Sequence, residues 1–390
     1  MKARWTPLAL VAAGTLAPFA ARAVDFNFAG TLQLDYLFTP FANRDPRPSS
    51  FVIDGFTQEL SIKVAADIGR HTTANVKACF GCHGFEAGMG YVDFRLSDAF
   101  NVRVGRFTPT FGEFNLRHDP GNHRLSDKPL PYDMGRMLRF FDFGRSVLPS
   151  PYVDNGIEVW GSAMIGSRIQ LAYAAHAVTG LRALSTNAQD VDFSVMRTSS
   201  GQLMVDNNSE PSVGGRVGVT ARLADRVDLS LGASALYGRY DPAGRLQYLV
   251  VGGDFFLRLP STNIRAEYLI RRTEMDATDP TRFAFAVSGL PDDPTRTFHT
   301  RDGWYVEVEQ RVLPNLDVLL RWDGMRRMGN VGTGSVLDFD AGVSRWTLGT
   351  QVTLERGYRL KASAQHYQWW GLRNAPSEEF AFHLGAVATF

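Results

Sequence analysis

Long apolar runs are absent from this chain beyond its first 23 residues, and charged residues make up 21% of it. A helix that crosses a bilayer needs about 20 consecutive, mostly apolar residues, so the sequence predicts no transmembrane helix. Cysteine is nearly absent as well, with two in 390 residues. The chain also lacks a Gly-rich phosphate loop, a nucleophile elbow and an HExxH pair. We therefore expect no enzymatic activity.

An excess of charge of one sign is also lacking, because the chain has 41 basic and 40 acidic residues. Lys2, Arg4 and Arg22 lie in the N-terminal segment, and without them 38 basic residues remain against 40 acidic ones, a formal charge of −2. The basic residues are spread along the chain rather than clustered. A nucleic acid is therefore not an expected partner.

The first 23 residues have the pattern of a secretory signal peptide. Lys2 and Arg4 give the positive start, residues 7–19 are mostly apolar, and Ala21-Arg22-Ala23 fits the small-x-small cleavage rule. The apolar stretch is too short to span a bilayer as a helix. We expect residues 1–23 to be removed and the mature protein to comprise residues 24–390.

The last thirteen residues, 378–390, alternate strictly between apolar positions and a second face. The apolar positions are Phe380, Phe382, Leu384, Ala386, Ala388 and Phe390. Period-2 alternation predicts a strand between two different environments. A strand that ends on an exposed aromatic residue is an aggregation hazard in a soluble protein, whereas in a transmembrane barrel it faces lipid. The terminal Phe390 resembles the assembly signal of bacterial outer-membrane barrels, which implies the barrel assembly machinery and outer-membrane lipid as partners.

The same alternation recurs in sixteen segments along the chain. They are residues 26–38, 56–68, 74–80, 91–96, 102–107, 156–164, 168–178, 213–223, 227–238, 246–259, 264–274, 303–312, 316–327, 346–355, 358–370 and 378–390. Short connections alternate with longer ones. This pattern predicts an all-β fold, a transmembrane antiparallel β-barrel of about 16 strands with short periplasmic turns and longer outer loops. One barrel accounts for residues 24–390.

The second face of these strands carries charge. Its charged positions include Arg216, Arg222, Glu267, Arg271, Glu307, Glu309, Arg321 and Asp323. Such charges are costly in a packed core, which argues against the alternative folds, a secreted β-sandwich or β-helix. A barrel of sixteen strands is wide enough for an aqueous channel. We therefore expect these side chains to face a water-filled lumen.

Three short motifs near the fourth and fifth strands suggest a family. They are Tyr91-Val92-Asp93, Arg103-Val104-Gly105-Arg106-Phe107 and Phe111-Gly112-Glu113. The chain resembles the phosphate-selective porin O/P family in these motifs. The resemblance implies a diffusion channel of the bacterial outer membrane for small hydrophilic solutes or anions, often a homotrimer, with its third loop folded into the pore. The anion-binding lysines of that family have no distinguishable counterpart here.

Residues 108–154 form the longest irregular segment and are the candidate pore constriction. Its candidate charged residues are Glu113, Arg117, Asp119, Arg124, Asp127, Lys128, Asp133, Arg136 and Arg139, with His118, His123, Asp142 and Arg145 between or after them. Opposite charges across a narrow lumen create a transverse field that filters solutes by charge. A solvated surface loop is the alternative interpretation. The length of the segment favours a functional role.

The two cysteines lie in the string Cys79-Phe80-Gly81-Cys82-His83, which matches the attachment motif of c-type haem. In this hypothesis both thiols bind haem and His83 ligates the iron, with Met89, His118 or His123 as candidate second ligands. The alternative is a Cys79–Cys82 disulfide at the link between the third and fourth strands.

Two functions remain open from the sequence. A porin would need no cofactor and no metal. A barrel with covalent haem c would belong to an outer-membrane electron-transfer conduit. One haem at one rim does not bridge an apolar band about 25 Å tall, so that conduit would need a cytochrome partner.

Overall fold

The computed structural model describes residues 24–38, 55–81, 84–132, 146–148, 150–181, 206–274, 298–329, 337–372 and 378–390. The predicted signal peptide, residues 1–23, lies outside these ranges. Sixteen antiparallel strands form one closed barrel in which each strand pairs with its neighbours in the chain and β16 pairs with β1. No helix within the described part is long and apolar enough to cross a bilayer.

The strands, in chain order, are β1 Asp25–Phe38, β2 Gly55–Gly69, β3 Thr72–Gly81, β4 Gly84–Arg95, β5 Asn101–Phe107, β6 Asp154–Ile165, β7 Ile169–Val178, β8 Ser212–Ala224, β9 Val227–Arg239, β10 Gln247–Arg258, β11 Thr262–Glu274, β12 Phe298–Leu313, β13 Leu316–Gly329, β14 Leu337–Glu355, β15 Tyr358–Leu372 and β16 Glu378–Thr389. All sixteen predicted strands are confirmed. Three of them, β4, β12 and β14, begin at least five residues earlier than the sequence pattern indicated.

The early start of β4 changes the setting of the cysteine motif. The first residues of β4 include Gly84 and Gly88, so they show no apolar alternation, yet they pair with β3 through Phe80 opposite Phe85. Only residues 82 and 83 connect the two strands. Cys79 is therefore part of β3, opposite Glu86, and does not belong to a long loop.

The two ends of the barrel differ. Seven turns of two to five residues join the strand pairs β2–β3, β4–β5, β6–β7, β8–β9, β10–β11, β12–β13 and β14–β15. They lie at one end of the barrel, which we call the turn end. The connections at the opposite end, the loop end, have seven residues or more, except for the links at 82–83 and 373–377. The third of them, residues 108–153 between β5 and β6, is the segment that the sequence singled out, and we call it the third loop.

The outer face of the wall is apolar and the inner face is polar. In β1, for example, Leu32 and Leu34 are exposed on the outside, while Gln33 and Asp35 are buried on the inside. Aromatic rings form a row on the outer face of β12 to β16: Trp304 and Trp322 lie 5.5 Å apart, Trp322 and Trp346 5.8 Å, and His366 and Phe380 4.5 Å. Such rows mark the membrane interface of transmembrane barrels.

The inward-facing charges differ from the prediction in one respect. Arg216 is partly exposed to solvent and Arg222 is exposed. Six others, Glu267, Arg271, Glu307, Glu309, Arg321 and Asp323, are buried although they point into the lumen. The expectation that all eight face water is therefore wrong for these six. The third loop contacts four of them, Glu267, Glu307, Arg321 and Asp323.

Candidate pore constriction

The third loop lies inside the barrel. Side chains from nine wall strands, β1, β3, β6, β9 and β11 to β15, make hydrogen bonds to it. Gly112 N donates to Ser234 Oγ at 2.9 Å, and on another part of the wall Leu130 N donates to Asp323 Oδ2 at 2.9 Å. The loop is thus held on several sides of the lumen.

Two buried carboxylates hold the first part of the loop. Glu158 accepts hydrogen bonds from Thr110 N at 2.7 Å and Thr110 Oγ1 at 3.1 Å. Glu267 accepts from the main-chain nitrogens of Glu113 at 2.8 Å and Phe114 at 3.2 Å. Because these groups bind main-chain atoms, they fix the path of the loop independently of its side chains.

Gly112 shows how closely the loop approaches this wall. Its φ is +62°, a conformation that residues with a Cβ rarely adopt. A Cβ at this position would also lie 2.1 Å from Glu267 Oε1. Only glycine fits here, which explains why the Phe-Gly-Glu motif has glycine at this position.

The loop carries its own apolar core into the lumen. Phe111, Phe114 and Tyr132 are buried, and the rings of Phe114 and Tyr132 lie 5.1 Å apart. The Phe114 ring also packs edge-on against Tyr305 of β12, 6.2 Å away. Burial, together with the charge of Glu267, raises the pKa of Tyr132 well above its usual value. Its hydroxyl therefore stays protonated and donates to Glu267 Oε1 at 2.7 Å.

Lys361 of β15 holds the tip of the loop, residues 119–127. Its buried ammonium group donates to three main-chain carbonyl oxygens, those of Pro120 at 2.9 Å, His123 at 2.9 Å and Leu125 at 3.0 Å. Arg359, two residues earlier in the same strand, donates to Gly121 O at 2.7 Å. One strand thus supplies cations to four carbonyls of the tip.

The tip extends to the turn end of the barrel. Arg124 lines a cavity of about 160 Å³ together with Pro260 and Ser261, which belong to the turn between β10 and β11. Its guanidinium also lies 3.7 Å from Asp317, the second residue of β13. The third loop therefore passes through the barrel to its turn end.

A buried cluster of charges anchors the loop just after its tip. Asp127 pairs with Arg321 at 2.7 Å and with Arg345, and Arg345 also pairs with Asp323 at 2.5 Å. Burial alone would raise the pKa of Asp127, but the guanidinium groups of Arg321 and Arg345 outweigh it and hold that pKa at about 2. Asp127 is thus ionised at neutral pH and attaches the loop to β13 and β14.

The two described histidines of the loop are neutral at neutral pH. Burial and the neighbouring ammonium of Lys77 lower the pKa of His118 to about 4, and burial lowers the pKa of His123 well below its usual value. His118 Nδ1 lies 2.7 Å from Asn115 O, so it carries the proton, and Nε2 accepts from Lys77 Nζ at 3.2 Å. Lys77 also pairs with Asp119.

The remaining candidate residues are of two kinds, those that the structure describes and those outside the described residues. Glu113 and Arg117 pair at 2.7 Å, and Glu113 also faces Arg265 of β11 at 3.6 Å. Lys128 Nζ donates to Ser150 O at 2.7 Å, within the loop itself. The other candidates, Asp133, Arg136, Arg139, Asp142, Arg145, Cys82 and His83, lie outside the described residues.

Arginines of the wall are further functional candidates, and of Arg103, Arg216 and Arg258 the sequence named only Arg216 as a charge of the lumen. In ion pairs of the lumen the arginine is more exposed than its acid: Arg103 is 19% and Asp93 5% exposed, Arg216 15% and Asp254 2%, Arg258 54% and Asp228 12%. The pairs of Lys77 with Asp119, and of Arg117 and Arg265 with Glu113, have the opposite order. Strand parity could have identified these arginines as inward-facing, but their exposure depends on the loop.

No protein-family model and no curated protein sequence matches this chain. Solved structures do match. OmpF of Salmonella typhi in complex with daunomycin gives a TM-score of 0.57 at 8% identity, over 94% of this chain and 97% of that one. The anion-selective porin from Comamonas acidovorans gives 0.52 at 12% identity, over 94% and 100%.

The chain has the porin fold. The outer-membrane channel DcaP of Acinetobacter baumannii also matches, with a TM-score of 0.52 at 12% identity over 94% of this chain and 97% of that one. At these identities the likeness is one of fold. It carries no information on the third loop or on the wall arginines of this chain.

Proposed function

We propose that this protein is a channel of the bacterial outer membrane through which small hydrophilic solutes diffuse passively, with a preference for anions. The porin fold, the apolar outer face and the aromatic row support the membrane location. The third loop would set the width of the channel. In this orientation the turn end faces the periplasm.

The exposure of side chains indicates the path through the lumen. The loop packs tightly against β13 to β15 and β1, where the wall side chains are buried. On the other side, Glu113 is 25% exposed and the wall arginines Arg103, Arg216 and Arg265 are 14–19% exposed. We therefore place the passage next to Glu113 and these arginines, which belong to β5, β8 and β11.

The observation that carries the anion preference is the order of charges in the wall pairs. In the pairs of Arg103, Arg216 and Arg258, the arginine side chain is more exposed to water than the carboxylate. A solute in the passage therefore meets the cation first. Fixed charges that line a narrow passage attract ions of the opposite sign and repel the others.

Planar-bilayer recordings under a potassium chloride gradient test this proposal. We expect the wild-type protein to conduct, and the sign of its reversal potential to show a preference for chloride over potassium. The double variant Arg103→Gln and Arg216→Gln should shift the reversal potential toward zero, because it removes two exposed cations. Arg239→Gln, on the outer face of β9, is the matched control and should change nothing. A folded barrel that does not conduct, or one that prefers potassium, would overturn the proposal.

We also propose a family relationship and an oligomeric state. The motifs in residues 90–111 support a relationship to the phosphate-selective porin O/P family, and with it a homotrimer. Mass photometry of the detergent-solubilised protein distinguishes a trimer from a monomer of 43.2 kDa.

A further inference from the structure

Arginines recur at the turn end. Six of the seven turns carry an exposed arginine within the turn or at its edge. One of them, Arg258, pairs with Asp228, and the other five are Arg70, Arg95, Arg168, Arg226 and Arg356. None of these five forms an ion pair with another residue in the described ranges. The arginines of the lumen, such as Arg103, Arg216 and Arg345, are paired with carboxylates. The turn end thus presents a ring of five arginines without an ion-pair partner in the described ranges, next to the exposed carboxylates of Asp67, Asp98, Asp225 and Glu355.

Each of these arginines has a large apolar neighbour on the outer face of the wall, one to three residues away. The neighbours are Ile68, Leu96, Ile165, Leu223 and Leu354, all 54–60% exposed. The apolar side chains mark the edge of the hydrocarbon layer, so the guanidinium groups beside them lie at the level of lipid headgroups. Long basic side chains at this level reach the interface and contact phosphates.

Arg226 adds an independent observation. Its φ is +63°, and it is the one residue other than glycine with a positive φ in the described ranges. Glycines take the positive-φ positions in two other turns, Gly166 at +65° and Gly357 at +92°. Glycine or asparagine adopts this conformation more easily. An arginine at a strained turn position indicates a use for its side chain that the turn itself does not require.

We propose that the turn end binds anionic phospholipid headgroups of the leaflet that surrounds it. This inference rests on the membrane location in the proposed function but not on conductance. Guanidinium groups bind phosphate through paired, charge-assisted hydrogen bonds, and anionic headgroups attract basic clusters near the membrane surface. The apolar neighbours favour a lipid over an acidic protein, because they keep the arginines at the hydrocarbon edge.

Native mass spectrometry of the full mature barrel in detergent tests the inference. The protein is mixed with phosphatidylglycerol and phosphatidylcholine in equal amounts, and the retained lipids are counted. We expect the wild type to retain phosphatidylglycerol preferentially. A combined variant, Arg70→Gln, Arg168→Gln, Arg226→Gln and Arg356→Gln, should lose that preference. Unheated gel mobility confirms that the variant is folded.

The matched control is Arg245→Gln. Arg245 is exposed at the loop end, in the connection between β9 and β10, and forms no ion pair within the described part of the chain. This variant should keep the wild-type preference.

Three results would overturn the inference: no preference in the wild type, an unchanged preference in the combined variant, or an equal loss in the control. If the wild type retains both lipids equally but binds a soluble polyglutamate peptide through these arginines, the ring recognises an acidic protein instead. A barrel that conducts ions but shows no lipid preference would contradict this inference and leave the proposed channel function standing.

Discussion

Phe390 and Gly30 join the two ends of the sheet. Gly30 N donates to Phe390 O at 2.9 Å, and Phe390 N donates to Gly30 O at 3.1 Å. The Phe390 ring covers the place where Gly30 lacks a side chain, since a Cβ there would lie 2.2 Å from the ring. The terminal residue, which the sequence marked as an assembly signal, therefore also makes the last main-chain pair of the closed barrel.

We predict that Gly30→Ala impairs barrel closure much as deletion of Phe390 does. The added methyl group must displace the Phe390 ring, whereas Gly69→Ala, the control, meets no atom within 4 Å. The yield of folded barrel is measured by unheated gel mobility. Wild-type yields from both Gly30→Ala and the deletion would show that the seam does not depend on this contact.

We predict that Lys361→Met loosens the tip of the third loop. The substitution removes three hydrogen bonds from a charged donor, each of which contributes about 1.5–3 kcal/mol. Amides of residues 121–125 should exchange with deuterium at least tenfold faster, and the open-channel current should become noisier. Lys63→Met is the control, because Lys63 is an exposed lysine on the inner side of β2. Equal exchange in all three proteins would mean that other contacts hold the tip.

The anchor at Asp127 predicts a dependence on pH. The pKa of this carboxyl is about 2 in the folded protein and about 3.9 in an unfolded chain. A depressed pKa stabilises the folded state above about pH 4, and that contribution, roughly 2 kcal/mol, is lost as the pH falls toward 2. The protection factors of the loop amides, which are the exchange rates corrected for their intrinsic pH dependence, should therefore change little between pH 7 and 4 and fall below pH 3. In Asp127→Asn the protection should already be low at pH 7, because Arg321 and Arg345 each lose one of their carboxylate partners. A wild type without an acid transition would contradict this account.

The strands could be predicted because their signal is local. Alternation in β16 or β1 requires only neighbouring residues, and both strands begin and end within a residue or so of their predicted bounds. The first part of β14 lacked that signal, since Asp338, Asp340 and Gly342 interrupt the apolar positions. Pairing with β13 and β15 extends the strand there, and such pairing is a long-range property.

The site could be predicted only in part. Position and length identified the third loop, but not its path to the turn end. That path depends on wall groups that bind main-chain atoms, such as Lys361 and Glu267, and main-chain atoms leave no pattern in the sequence. For the same reason the burial of Arg321 and Asp323 could not be read from strand parity, which gives the direction of a side chain but not what covers it.

The cysteine motif makes a prediction of its own. The channel function needs no haem, so we expect purified protein to show no Soret band that survives acid-acetone extraction. Cys79→Ser should then leave the spectrum unchanged. A covalent Soret band lost in Cys79→Ser would assign the barrel to an electron-transfer conduit and would call for a cytochrome partner.

The single-channel conductance of a variant without residues 119–127 tests the central claim, that the third loop narrows the channel. These residues belong to no strand, so the wall should still form, as shown by circular dichroism and unheated gel mobility. We predict that conductance rises several-fold and that anion preference weakens, because the tip no longer fills the turn end. A folded variant with the conductance and selectivity of the wild type would contradict the account.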